Sequence, residues 1–330
     1  MPELNTLRWN RSPGHYEVHY LTTTDPRSGV GLWIRQTMLA PLGGGDPTCS
    51  VWFMATFPDA PAVARKLTLP IAEMAAEDAP FRLRTGPAEL TDSGMRGALE
   101  DASWDLRWEP GAGYQHVSPI LQRARIAKTV LVLPHGDVAV SGAVTLPGGR
   151  ELTLDGCHGG QAHLWGSKHS TRWTWAHCGD FADPDGAPQP GTFVDGVSVF
   201  VPRFGREVGP SSPVVGRLLG EDFLATSPLA VLRAPSRFAL TSWTFEATAG
   251  ARRIAGEVDA PRESLVGVTY TDPDGEKAYC YNSEVASMRV SVFDRSNGRW
   301  ALRQTLLSHG RAHFEYGQRE PVPGLDLHLS

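Results

Sequence analysis

Along most of this chain, apolar and polar residues alternate with a period of two, and the runs are short. Tyr16, Val18 and Tyr20 alternate with Glu17 and His19; Leu32, Ile34 and Met38 alternate with Trp33, Arg35 and Thr37. That period sends successive side chains to opposite faces of an extended strand. The intervening TTTDPRSG has the composition of a turn, so the pair reads as a β-hairpin. Its second strand sets Trp33 and Arg35 on one face. An arginine buried there needs a partner, so Arg35 stands at a rim or is paired inside. With 35 Gly and 26 Pro in 330 residues, punctuation is frequent, which favours many short strands over long helices.

The same pattern recurs to the end of the chain. Strands are expected at 51–57, 81–83, 89–90, 104–108, 129–133 and 138–146, and again at 194–201, 238–247, 253–258, 265–270, 277–281, 288–293 and 300–306. Residues 60–66 read as a short helical turn, 93–102 as a loop and 213–225 as a weak helix. Residues 114–127 are ambiguous, with a short helix possible after Pro119. The stretch 181–191, FADPDGAPQPG, is the best linker candidate. The expected fold is all-β, with two antiparallel domains of barrel or sandwich type and little helix. The expected division is 1–186, carrying the His- and Trp-rich segment described below, and 187–330.

Composition excludes several classes. The formal net charge is −5 and no basic block stands out, which argues against nucleic acid as a partner. Charged residues are 20% and hydrophobic residues 41%, as in folded soluble proteins. No run is long and apolar enough to span a membrane, and no targeting segment is expected. Cys49, Cys157, Cys178 and Cys280 are widely scattered, as ordinary intracellular thiols are, so a cytoplasmic location is expected.

Chemistry concentrates at 155–181, DGCHGGQAHLWGSKHSTRWTWAHCGDF, which holds four His, three Trp, two Cys and two Asp. Trp173, Trp175 and His177 alternate, as do His163 and Trp165, so strand faces carry large aromatics and imidazoles. Such a face is a tight core or the wall of a pocket. His158, His163, His169, His177 and Cys178 are all zinc-ligand types, but no HExxH or paired CxxC spacing is present. No GxSxG elbow occurs, and Cys157–His158 and His177–Cys178 are neighbours that point apart on a strand. Neither GxxxxGK[ST] nor GxGxxG appears. What remains is acid chemistry in an aromatic cavity. A buried His, Asp or Glu could protonate an alkene while Trp and Tyr faces stabilise the cation. His163, Trp165, Trp175, His177 and Asp180 have the right types for this, as do Asn282 and Glu284 in CYNSEV.

The hairpin GHYEVHYLTTTDPRSGVGLWIRQTMLAP, followed by QAHLWG and RWTWAHCGDF, resembles the two-domain lipocalin-like superfamily of carotenoid hydratases (hydroxyneurosporene synthases), tocopherol cyclases and lipocalin-like Diels–Alderases. His163-Leu164-Trp165-Gly166 and Trp173-Thr174-Trp175 match that superfamily's order of motifs. The resemblance implies two calycin-like β-barrels, a ligand near their interface, and hydrophobic isoprenoid or polyketide substrates handled without an organic cofactor. The acidic residue expected of the hydratases has no counterpart in QAHLWG, where His163 stands.

The expected function is therefore a cofactor-independent cyclase, isomerase or hydratase acting on a hydrophobic small molecule. His163, His177, Asp180 and Glu284 are the candidate acids and bases. Trp33, Arg35, His158, Gln161, Trp165, Trp173, Trp175 and Asn282 are the candidate substrate contacts. No metal or cofactor is expected. The rivals are a carrier that binds a lipid-like ligand without chemistry and a zinc-dependent hydrolase.

Overall fold

The computed structural model describes residues 4–117, 128–203 and 206–329; the helix considered after Pro119 lies outside them. The first sheet contains β1 (His15–Thr24), β2 (Gly31–Ala40), β3 (Thr48–Thr56), β4 (Val63–Pro70), β5 (Met74–Asp78), β6 (Phe81–Thr85), β7 (Ala88–Thr91), β8 (Gly94–Leu99), β9 (Ala102–Arg107), β10 (Tyr114–Gln115), β11 (Thr129–Leu146) and β12 (Arg150–Gly166). The second contains β13 (Arg172–Cys178), β14 (Phe193–Arg203), β15 (Arg206–Ser211), β16 (Val214–Leu218), β17 (Glu221–Ala225), β18 (Ser236–Ala239), β19 (Ser242–Ala249), β20 (Arg252–Asp259), β21 (Val266–Thr271), β22 (Lys277–Ser296), β23 (Arg299–Gln318) and β24 (Leu327–Leu329). A short α-helix, α1 (Pro228–Arg233), begins at the Ser227 cap, whose hydroxyl accepts from the Ala230 N–H.

Each sheet is a meander closed by a long central hairpin. The first runs β4-β3-β2-β1-β12-β11-β9-β8-β7-β6-β5, and the second β17-β16-β14-β13-β23-β22-β20-β19-β18. Both curl on themselves. Phe53 on β3 stacks on Trp104 on β9 at 5.6 Å, although the two strands are far apart in the sheet order. Across the second sheet, the Trp243 indole of β19 packs over Gly196 of β14. Curling hides the apolar face and leaves few open edges.

Three large apolar cores form among the described residues, beside a small cluster of Met38, Ala40 and Cys49. One fills the first barrel with Leu21, Leu32, Ile34, Phe53 and Trp104. Another fills the second with Ala176, Cys178, Trp243, Ile254 and Phe314. The third lies between the barrels and joins Tyr16, Val18, Tyr20, Trp33 and Trp52 to Trp173, Trp175, Val266, Tyr270 and Cys280. This is why β1 is buried from Tyr16 to Thr24: its odd residues face the first barrel's interior and its even residues face the other barrel.

The all-β expectation holds, and three local readings are corrected. The helical turn at 60–66 is replaced by β4, and the loop at 93–102 contains β8. The weak helix at 213–225 is a hairpin of β16 and β17. Leu219 and Gly220 sit at φ 54° and 80° there, the two-residue turn that suits strand twist. The sheets change over between Gly166 and Arg172, ahead of the expected 186/187 division. The proline-rich 181–191 stretch is a loop between β13 and β14, pinned to β23 through Ala182 and Leu307. Among the described residues no helix is long and apolar enough to cross a membrane.

Candidate functional site between the barrels

The seam between the barrels is built by strand alternation. Thr24, Thr22 and Tyr20 of β1 stand opposite Gly31, Trp33 and Arg35 of β2. Facing them are Trp173, Trp175 and His177 of β13, Glu284 of β22, and His313 of β23. The expected sharing of one face by Trp173, Trp175 and His177 is therefore observed. Trp175 meets Tyr20 edge to face at 5.8 Å, and its indole N–H donates to Asp195, 3.0 Å away. The Trp173 indole N–H donates to Glu315.

One end of the seam centres on Arg35, which is 5% exposed. Its guanidinium lies 4.7 Å from the Trp33 ring, 4.7 Å from Tyr270 and 5.3 Å from Trp52. One N–H donates to the Tyr270 hydroxyl at 2.6 Å. Beside it is a cavity of about 110 Å³ lined by Tyr16, Val18, Arg35, Trp52, Lys66, His169 and Tyr270, among others. A wider depression of about 440 Å³ adjoins it through Lys66 and Thr68. Burial, and then the charges of Arg35 and Lys277, pull the Lys66 amine down to about 8. His169 is stacked on Tyr16 at 4.5 Å and held by Asp272 at 2.6 Å. Burial works against the Asp272 carboxylate, but His169 and Arg319 outweigh it and hold it at about 2.

At the other end lies a fully buried polar cluster. His177 Nε2 is 2.8 Å from the Gly136 carbonyl, which can only accept, so that nitrogen donates. His177 Nδ1 then accepts from His313 Nδ1–H at 3.1 Å, with Thr22 Oγ1 2.9 Å from the same His313 nitrogen. This leaves His313 Nε2 as an acceptor, 3.2 Å from Thr24 Oγ1 and 3.9 Å from Glu284 Oε2. Glu284 Oε2 makes no hydrogen bond. Burial, and then the charge of Glu315, pushes the Glu284 carboxyl well above its usual range. Burial and His177 hold His313 well below its own. The cluster thus sets a carboxyl whose charged form burial disfavours against an imidazole whose charged form burial disfavours. Two glycines make it possible: a Cβ on Gly31 would collide with the Glu284 side chain, and one on Gly160 would come 2.8 Å from His177 Nε2.

The other candidates are dispersed. His163 and Trp165 alternate on β12 as expected, but they face the first barrel, on the opposite side of the sheet from the seam. His163 Nε2 meets Glu17 at 2.8 Å and its Nδ1 meets the Leu4 carbonyl at 2.5 Å. His19 Nε2 binds the Asn5 carbonyl at 2.8 Å, and Gln161 donates to the Asn5 side chain at 2.6 Å. Glu17 also accepts from the Arg8 and Trp9 N–H groups. Burial opposes its charge, yet the His15 and His163 hydrogen bonds hold it well below the usual carboxylate range. Ligand atoms of Glu17, His19 and His163 fall within 4.8 Å of one another, the spacing of a metal site. Their engagement with residues 4–9 makes them a clasp for that segment. His158 pairs with Asp137 and Asp180 with Arg311 at the partly exposed rim. Asn282 lies in the seam with an unsatisfied amide nitrogen. The five zinc-type residues of 155–181 do not converge, because β12 and β13 belong to different sheets and Cys178 points into the second core.

The sequence reading missed His313, Thr22, Thr24, Lys66, Asp195, Tyr270 and Glu315. The alternation His313, Glu315, Gly317 in HFEYG was the available signal for one seam strand.

No family model matches the chain. It is 31% identical over 321 residues to the uncharacterized protein Rv0493c of Mycobacterium tuberculosis strain H37Rv, covering 94% of this chain and 89% of that one. Its identity to MT0513 of strain CDC 1551 is the same. Among solved structures, CghA in complex with Sch210972 matches with a TM-score of 0.57 at 8% identity, over 92% of this chain and 88% of that one. Kievitone hydratase from Nectria haematococca matches with a TM-score of 0.53 at 10% identity, over the same shares. At such identities these two report the fold alone. With two curled antiparallel sheets and a buried seam between them, the chain belongs to the family of Rv0493c, built on the lipocalin-like two-barrel fold.

Proposed function

We propose that the seam is the site of a cofactor-independent isomerisation, cyclisation or hydration of a hydrophobic, isoprenoid- or polyketide-like small molecule. The observation that carries this reading is Glu284, a fully buried carboxyl with an unpartnered oxygen at an aromatic interface, whose charged form burial disfavours. A neutral carboxyl at neutral pH is a proton donor. It would protonate a polarised alkene, leaving a carboxylate and a cation faced by the Trp33, Tyr20 and Trp175 rings. Water or an internal nucleophile then bonds to the cation, and the released proton returns to Glu284. No oxidant or co-reactant other than water is consumed. His313, held in place by His177 and Thr22, borders the acid on one side.

Glu284 rather than His163 is thus the proposed acid, since His163 lies on the far side of the sheet. The likeness to a solved hydratase supports the reading at the level of fold. The four cysteines are buried and unpaired, which fits the proposed cytoplasmic location.

The test is incubation in D2O with hydrophobic polyenes extracted from the purified protein or supplied as a panel. Wild type should place deuterium on a substrate carbon, and Glu284→Gln should not. Equal incorporation by both proteins would end the assignment. A ligand that binds and returns unlabelled from wild type would favour the carrier reading.

A further inference from the structure

We infer that the ligand of the seam is an organic monocarboxylate, seated with its acid group on Arg35. This rests on the seam being the ligand site and adds the class of molecule it takes.

Arg35 is charged, 95% buried, and aimed at a cavity. Among the described residues no carboxylate lies within 4.0 Å of it. Its Nε–H has no hydrogen-bond partner, and the hydrogen bond to Tyr270 uses one of five donors. Other buried or half-buried arginines are paired: Arg319 with Asp272 and Arg252 with Asp294. The nearby acids are otherwise engaged, Asp272 by His169 and Arg319, and Glu315 by the Trp173 indole. The rings of Trp33, Trp52 and Tyr270 hold the guanidinium by cation–π contact, and apart from the Tyr270 hydroxyl they leave its Nε–H without an acceptor.

A planar anion completes this arrangement. A carboxylate meets a guanidinium edge with two parallel hydrogen bonds. The cavity of about 110 Å³ has room for such a head group. Lys66 at about 8 lies in the same wall, so its charged form rises when an anion arrives. The hydrocarbon part would lie along the seam. Arg35 and Gly31, against which Glu284 packs, are four residues apart on one strand face, about 13 Å. A carboxylate on Arg35 would thus fix which part of a chain-like substrate reaches Glu284.

The experiment compares decanoate with methyl decanoate by quenching of tryptophan fluorescence, in wild type, Arg35→Met, Arg35→Lys and Glu284→Gln. Wild type should prefer the acid by about tenfold or more, a difference of about 1.4 kcal/mol. Arg35→Met should lose that preference while keeping its affinity for the ester, and Arg35→Lys should keep part of it. Equal affinities in wild type would overturn the inference, as would a preference that survives in Arg35→Met. If Arg35→Met does not fold, the wild-type comparison decides alone. Glu284→Gln should keep the preference, so loss of its chemistry and loss of anion recognition are read separately.

Discussion

Replacing Glu284 by Gln should stabilise the protein at neutral pH and not at pH 4.5. In the folded chain burial penalises the charged form of this carboxyl and raises its pKa well above the ordinary glutamate value of 4.5. The folded state therefore binds this proton more tightly than the unfolded state. The sign follows from linkage: stability is highest below the unfolded value and falls as pH rises from 4.5 towards the folded value. Each pH unit within that window costs about 1.4 kcal/mol. Gln does not titrate and keeps the shape of the protonated acid. The difference between variant and wild type should open above pH 4.5 at that slope. At about 2 °C per kcal/mol, suited to a chain of this length, that is about 3 °C in Tm per pH unit. His313, held low by burial and His177, lowers stability as pH drops below 6.5, but it does so in both proteins and cancels. Thermal melts at half-unit steps from pH 4.5 to 8.5 measure the difference. A flat difference, or a wild type that gains on the variant as pH rises, would refute the claim of a neutral buried acid.

Three further outcomes are expected. His163→Ala removes one of the hydrogen bonds to the buried Glu17 carboxylate while His15 and the Arg8 and Trp9 N–H groups remain, and should cost about 1–3 kcal/mol; limited proteolysis near the N terminus checks this, and deuterium incorporation per folded molecule should persist. Gly160→Ala places a Cβ 2.8 Å from His177 Nε2, and this overpacking should cost about 1–3 kcal/mol with loss of turnover, read by melts and the D2O assay. Lys66, at about 8, should acylate at pH 8 ahead of the exposed lysines, as read by peptide mass mapping; an ordinary rate would contradict its buried, like-charged surroundings.

The period-two pattern and the density of Gly and Pro were enough for the fold class, because alternation is a local consequence of strand geometry. They placed Trp173, Trp175 and His177 on one face, and Trp33 with Arg35 on another, as observed. They also singled out Glu284 and Asn282 in the second half. Local pattern misled where a turn decided the outcome, as at Leu219 and Gly220, and where proline composition marked a pinned loop rather than the change of sheet.

What local pattern could not supply is which face meets which. His163 and His177 lie close in sequence and look like one cluster, yet β12 and β13 enter different sheets, so their imidazoles serve different interiors. Thr22, Glu284 and His313 are far apart along the chain and become neighbours only when two curled sheets stack. The desolvation of Glu284 and the unpaired edge of Arg35 belong to that stacking too. Burial and the absence of a nearby opposite charge are properties of the assembled surroundings. The sequence by itself determined the strands and the alternation of their side chains, because backbone geometry is local; the tertiary structure alone decided the seam, because desolvation depends on everything that packs around a group.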